Sequence, residues 1–273
     1  MNVPLLIAGI LLLALTAGDF AFTTISANRT GPLTRGAAAI YWKVFRLLAR
    51  LPGESAALRL AGPVVMSGVA FVWLALTCIG WLLIFRSDPG SLVMKSTGEP
   101  ADWASTFAFI GSALSTVGAS NVQPSSALWD NLSTVAAVSG MVVLTLSVTF
   151  VLNITQTVAQ GRGFTVLMRI RDPLNDRHDD ILLPALADLC IRLNASPLAL
   201  YYSSSRWERG LPESLNWLAR RVARSPDRFR HYRYALQELP FLAVDADDDP
   251  EGFLEAMQEW ARQFSLHEWP AEN

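Results

Sequence analysis

Lysine is almost missing from this chain of 273 residues: Lys43 and Lys95 are the only two among its 22 basic side chains. Cysteine is as scarce, and Cys78 sits in an apolar run while Cys190 lies in the polar half, so neither a disulfide nor a thiolate metal site is implied. His178, His231 and His267 share no helical or turn spacing with one another or with a cysteine, which leaves no metal site and no catalytic dyad to argue for. A nucleophile-base arrangement and a phosphate loop are absent as well, so no enzyme is expected. The net charge of −2 excludes a strongly basic nucleic-acid binder. Charge of either sign is thin in the first part: residues 1–161 carry 8 Lys or Arg and 6 Asp or Glu, against 14 and 18 in residues 162–273. So few charges cannot dress a water-soluble surface, and the expectation is a membrane domain followed by an aqueous one.

Long apolar runs are what the first part has instead. Residues 60–85 and 131–161 are free of charge. Each run is long enough to cross about 30 Å of hydrocarbon at about 1.5 Å per residue. Residues 3–27 form a third candidate, interrupted by Asp19 alone, and no basic residue precedes Arg29, so a retained helix is expected in place of a cleaved signal. Asp19 reads either as a buried carboxylate with a partner or as the point where that helix nears the interface. Arg29, Arg35, Lys43, Arg46, Arg50 and Arg59 face the single acid Glu54, and Arg162, Arg169 and Arg171 follow the last span. The positive-inside rule places both regions in the cytoplasm and the N-terminus outside. Ile40, Tyr41, Val44, Phe45, Leu48 and Leu51 recur at helical spacing, which predicts an amphipathic helix on the membrane surface within residues 29–59. The arginines lie outside any apolar span, which argues against a voltage sensor.

Residues 103–128 are moderately apolar and too short to cross twice, so they re-enter and leave on one side or stay outside. Residues 103–116 suit a short helix, and the small, polar residues 117–124 an extended return. Thr116-Val117-Gly118, with Pro124 beyond, resembles the selectivity filter of the tetrameric pore-loop potassium channels, usually Thr-Val-Gly-Tyr-Gly-Asp. The order of outer helix (60–85), pore helix (103–116), filter (116–121) and inner helix (131–160) is similar too, and Gly140 stands where the family carries a hinge glycine. The resemblance covers residues 60–163. It implies a homotetramer in which backbone carbonyls of Thr116, Val117 and Gly118 replace the hydration shell of K+, the permeant ion. No other cofactor is implied, and the expected partners are copies of the chain and membrane lipid, without nucleic acid. The bacterial two-transmembrane members of this family imply an inner-membrane location.

Past Gly118 the pattern changes: Ala119 replaces the tyrosine, Ser120 the second glycine and Asn121 the aspartate. A non-glycine residue in the left-handed filter conformation costs on the order of 1 kcal/mol or more per chain, so Ser120 favours another backbone path and the outer ion sites are weakened. Asn121 removes four carboxylates from the outer mouth. The expectation is therefore a cation pathway passing K+ with its selectivity over Na+ reduced or lost, a strictly K+-selective pore being the alternative if the lower sites alone suffice, and a non-conducting channel-like sensor or scaffold the competing reading. Inner-helix hydroxyls such as Ser133, Ser139 and Thr145 suit a wet cavity or helix packing equally.

Residues 164–273 read as a helical cytoplasmic domain. Leu182, Leu186, Leu189 and Leu193 make one apolar stripe, Leu215, Leu218 and Val222 another, and Phe253, Met257, Trp260 and Phe264 a third. A glycine-rich nucleotide-binding fingerprint is missing. Arg220, Arg221, Arg224, Arg228, Arg230 and Arg233 could meet anionic lipid or pair with later acids such as Glu238 and Glu251. The acidic run from Asp245 fails as a calcium loop, having Pro250 where glycine is needed, and suits a helix start capped by Asp249. The fold class expected is thus an all-α membrane protein. It has a two-transmembrane pore-loop channel core, an extra N-terminal helix at 1–28 and a C-terminal helical domain.

Overall fold

A computed structural model describes residues 1–25, 30–49, 55–118, 120–204, 207–244 and 249–267. The chain runs as α1 (Val3–Ile25), α2 (Pro32–Leu48), α3 (Ser55–Arg86), β1 (Leu92–Met94), α4 (Trp103–Leu114), β2 (Val122–Pro124), α5 (Ala127–Ile170), α6 (Asp179–Ala195), α7 (Leu211–Val222), α8 (Pro226–Leu236) and α9 (Pro250–Phe264). Of these, α1, α3 and α5 are long and apolar enough to cross a membrane. The contacts divide the chain into two units. One comprises Met1–Ile25, Thr30–Ala37 and Gly68–Phe150, and the other, among the described residues, Ala38–Ser67 and Val151 onward.

In the first unit α1 packs antiparallel on α3. The Asn2 amide donates to the Ser87 carbonyl. Farther along, a Cβ on Gly9 would come within 2.8 Å of the Gly80 carbonyl, and one on Gly80 within 2.6 Å of Leu13. Small residues at this crossing let the two backbones approach, the usual device where no hydrophobic driving force separates helix from lipid. Lower on the same seam Phe20 meets Trp73 edge-on at 4.9 Å.

Asp19 is a buried, partnered carboxylate, 4% exposed. One oxygen accepts from the Leu33 amide at 2.7 Å; the other accepts from the Thr34 amide at 3.1 Å, the Thr34 hydroxyl at 2.6 Å and the Trp73 indole at 3.1 Å. The amides of Leu33 and Thr34 are free donors of the first turn of α2, so the carboxylate of one helix caps the next and sits at its positive end. A Cβ on Gly31 would lie 2.1 Å from the Asp19 carboxylate, so this approach requires glycine there.

The aromatic core of the unit gathers Trp81, Phe85, Leu92, Ile110, Leu114, Val122 and Trp129. It ties α3, α4, both strands and the start of α5 together, and the Trp81 indole donates to the Ser139 hydroxyl at 2.9 Å, linking α3 to α5.

The second unit holds α6 to α9. All four leucines of the α6 stripe, together with Leu215, Leu218, Val222, Phe253, Met257, Trp260 and Phe264, are buried. Asp249 caps α9, accepting from the Gly252 amide at 2.6 Å with Pro250 in the first turn. Two arginines of the basic stretch pair upstream. Arg228 meets Asp179 at 2.5 Å and the carbonyls of Pro173 and Leu174, while Arg221 lies 3.7 Å from Asp172.

Several sequence boundaries move. The inner helix, expected at 131–160, spans Ala127–Ile170 and continues through Gly161 and Gly163. A single helical glycine costs only about 1 kcal/mol, and Leu211 packs over Gly161, where a Cβ would come within 2.8 Å of it. The outer helix begins at Ser55 instead of residue 60. The expected amphipathic linker is confined to α2, and its second half joins the C-terminal unit. There the Trp42 indole and the Arg46 guanidinium both donate to the Gln263 carbonyl, at 3.2 and 2.6 Å. Ala38, Trp42, Phe45 and Ala49 form its buried stripe, whereas Ile40, Val44 and Leu48 are exposed. Trp42, not counted in the sequence pattern, decides which face turns inward. Leu51 lies outside the described residues.

Candidate functional site

The segment between α3 and α5 is a closed excursion. The β1 strand, just past α3, pairs antiparallel with β2, just before α5, in the register Leu92 to Pro124, Val93 to Gln123 and Met94 to Val122. Residues 95–121 therefore leave and return at one place, and α4 is the inward leg. Its start is fixed by Asp102, whose carboxylate accepts from the Ser105 amide at 2.8 Å. That capping contact holds the Asp102 carboxyl below its usual range. Arg86, at the end of α3, donates to the Ala101 carbonyl at 2.6 Å and stacks over the Trp103 ring at 4.8 Å, fastening helix end to helix start.

The far end of α4 lies deep along α5. A Cβ on Gly140 would sit 2.4 Å from the Leu114 carbonyl oxygen and 2.6 Å from its Cα, so the two backbones touch there and only glycine fits. Gly140 is 13 residues into α5, or about 20 Å at 1.5 Å per residue. The position named as a hinge is, in this structure, the seat of α4 within an unbroken helix.

α4 stops at Leu114, two residues short of the end expected for it. The Thr116 amide donates to the Ala113 carbonyl at 3.0 Å and the Val117 amide to the Ser112 carbonyl at 3.1 Å. These are the two crossed bonds of a Schellman turn, which demands a left-handed residue at its centre. That residue is Thr116, with φ 58°, and Gly118 follows at φ 72°. The Thr116 amide and its neighbours are thus satisfied, while the carbonyls of Ser115, Thr116, Val117 and Gly118 meet no donor among the described residues. Val117 is 69% exposed. Four consecutive acceptors stand in the open at the negative end of a helix, an arrangement suited to a cation.

Ala119 lies outside the described residues. Ser120 is not left-handed, so the strain anticipated there is taken by Thr116 instead. The Ser120 hydroxyl accepts from the Val122 amide at 3.1 Å, and its carbonyl accepts from the Lys95 ammonium at 2.8 Å. The Lys95 amide also donates to the Asn121 carbonyl at 2.9 Å. Lys95 had no signal beyond being one of two lysines in the chain; its contact follows from the pairing of β1 and β2. Phe109 packs on Phe85 at 5.8 Å, and Phe107 is exposed.

The second unit holds a cavity of about 280 Å³ lined by Glu213, Met168, Trp207 and Trp217, and an open groove of about 1000 Å³ where Arg46, Arg220 and Arg262 face Glu251, Glu255 and Glu259. Glu213 is buried, and burial pushes its carboxyl up, against the Ser265 hydroxyl donated to it. Burial likewise pushes the Cys190 thiol up to about 12, leaving it unreactive. Burial also works against ionisation of Asp179, but the bonds from Arg228 and Tyr232 outweigh it and hold the carboxyl below the ordinary range. No group of three potential metal ligands occurs among the described residues.

No family model matches the chain, and no solved structure matches it. It is 33% identical over 224 residues to the uncharacterized membrane protein YdjJ of Bacillus subtilis (strain 168), a match covering 76% of this chain. The chain spans 65% of the length of that relative. With three helices long and apolar enough to span and this membrane relative, the chain is an all-α integral membrane protein.

Proposed function

We propose that the chain is a subunit of a tetrameric cation channel, passing K+ and also Na+, with Thr116, Val117 and Gly118 lining the narrow part. The observation that carries this reading is the exposed backbone at the end of α4. Irregular backbone some 20 Å along a membrane-spanning helix is untenable against lipid. It needs other protein around it or water beside it, and a ring of four copies supplies both. In such a ring the open carbonyls of Thr116 to Gly118 converge from four sides, and the C-terminal ends of four α4 helices add their negative potential below. Engagement of the Ser120 carbonyl by Lys95 removes an outer ligand, which supports weak discrimination between K+ and Na+. The basic residues near α2 and at the end of α5 support a cytoplasmic C-terminal unit and an outward-facing β1–β2 sheet in a bacterial inner membrane.

Purified protein reconstituted in liposomes should carry both K+ and Na+ down imposed gradients, with comparable rates. A strong preference for K+ overturns the nonselective part. Absence of flux of either ion from intact tetramers, both unsubstituted and carrying Lys95→Met, rejects conduction in favour of a sensor or scaffold that uses the same fold.

A further inference from the structure

We infer that Lys95 is a tethered cation at the outer end of the pore, competing with permeant ions for the Ser120 carbonyl and limiting their passage. This rests on the channel reading above and adds a residue that the filter resemblance does not contain.

Three bonds hold the arrangement. The Lys95 amide donates to the Asn121 carbonyl at 2.9 Å, continuing the β1–β2 ladder by one residue beyond Met94 and Val122. The Ser120 hydroxyl accepts from the Val122 amide at 3.1 Å, which fixes the turn that presents the Ser120 carbonyl. The Lys95 ammonium donates to that carbonyl at 2.8 Å. The Ser120 carbonyl lies two residues beyond Gly118, past the three carbonyl tiers of Thr116, Val117 and Gly118, and a protein ammonium already occupies it.

The choice of side chain fits the task. Lysine presents a compact point charge, closer to a monovalent ion than the planar guanidinium is, and the chain uses lysine here although 20 of its 22 basic residues are arginine. The near acids are few. Glu99 lies in the same loop, and its carbonyl is bound to the Met94 amide at 2.9 Å. Asp102 is committed to the α4 cap. No carboxylate is recorded within ion-pair distance of Lys95 among the described residues, so its charge is not locally cancelled.

The test is K+ flux into liposomes by the full chain, compared with Lys95→Met and Lys95→Arg, each checked for an intact tetramer. Lys95→Met should raise the rate on the order of tenfold at low ionic strength, about what removing four unit charges roughly 10 Å from the ion produces in water. The gain should shrink as salt is raised, because the repulsion is screened. Lys95→Arg, keeping the charge, should stay near the unsubstituted rate. A conducting protein whose rate is unchanged by Lys95→Met overturns the Lys95 inference alone. So does a Lys95→Arg protein as fast as Lys95→Met. If the unsubstituted protein is silent and Lys95→Met conducts, the ammonium closes the path completely and the inference stands. Silence of all three proteins overturns the channel reading and the inference with it.

Discussion

Thr116 is a β-branched residue in the conformation that glycine adopts most readily, and the Schellman turn at the end of α4 holds it there. Such a placement costs about 1–2 kcal/mol, and strain of this kind persists only where the surroundings over-determine it. Thr116→Gly should therefore raise the thermal midpoint of the detergent-solubilised protein, by the equivalent of about 1 kcal/mol per chain, while lowering ion flux because the hydroxyl is lost and the carbonyl is held less rigidly. A lowered midpoint would show that the hydroxyl contributes more than the strain removes. Glu213 invites a pH argument. Its buried carboxyl keeps its proton to higher pH than an exposed one, so the unfolded chain ionises first, from about pH 4.3. Stability is full below that pH and is lost as pH rises toward the folded value. Glu213→Gln, which keeps an acceptor for the Ser265 hydroxyl, should melt higher than the unsubstituted protein at pH 7 and level with it at pH 4.

Two elements show how a helix is placed by contacts that its own sequence does not announce. α4 is readable as a short apolar helix, but its depth is set by Gly140 of α5, where the Leu114 backbone rests. Gly140→Ala should push α4 away from α5, destabilise the protein by about 1–3 kcal/mol and abolish flux; a variant of unchanged stability but impaired flux would instead favour a hinge. α2 is readable as amphipathic, yet two apolar stripes compete on it, and Trp42 settles which is buried. The charge-free runs made α1, α3 and α5 legible because hydrocarbon thickness leaves little freedom in length. The open carbonyls at the end of α4 drew notice only through resemblance. Lys95 on Ser120 was not legible at all, since β1 and β2 are three residues each and too short to carry an alternating pattern. The partners of Asp19 were hidden for a different reason: Trp73 is 54 residues away, and nothing local in sequence links an acid to an indole at that distance.

At the scale of the molecule, the Asp19 cluster makes the first helix an integral part of the unit that also holds α3 and α4. A two-span core beginning at residue 60 would lack Asp19 and leave the Trp73 indole, which is fully buried, without its carboxylate. Leaving buried donors orphaned costs about 1–3 kcal/mol each. The chain should lose its assembled form when α1 is exchanged for an unrelated apolar anchor of equal length, measured as the fraction of tetramer recovered in detergent, and regain it when an aspartate is restored at the matching position. During synthesis the Asp19 cluster is completed in two steps: Leu33 and Thr34 follow Asp19 closely and form the cap of α2, but the indole emerges only with α3. The last donor to the Asp19 carboxylate is made only with the second long helix, so completion of this cluster is tied to the pairing of α1 with α3.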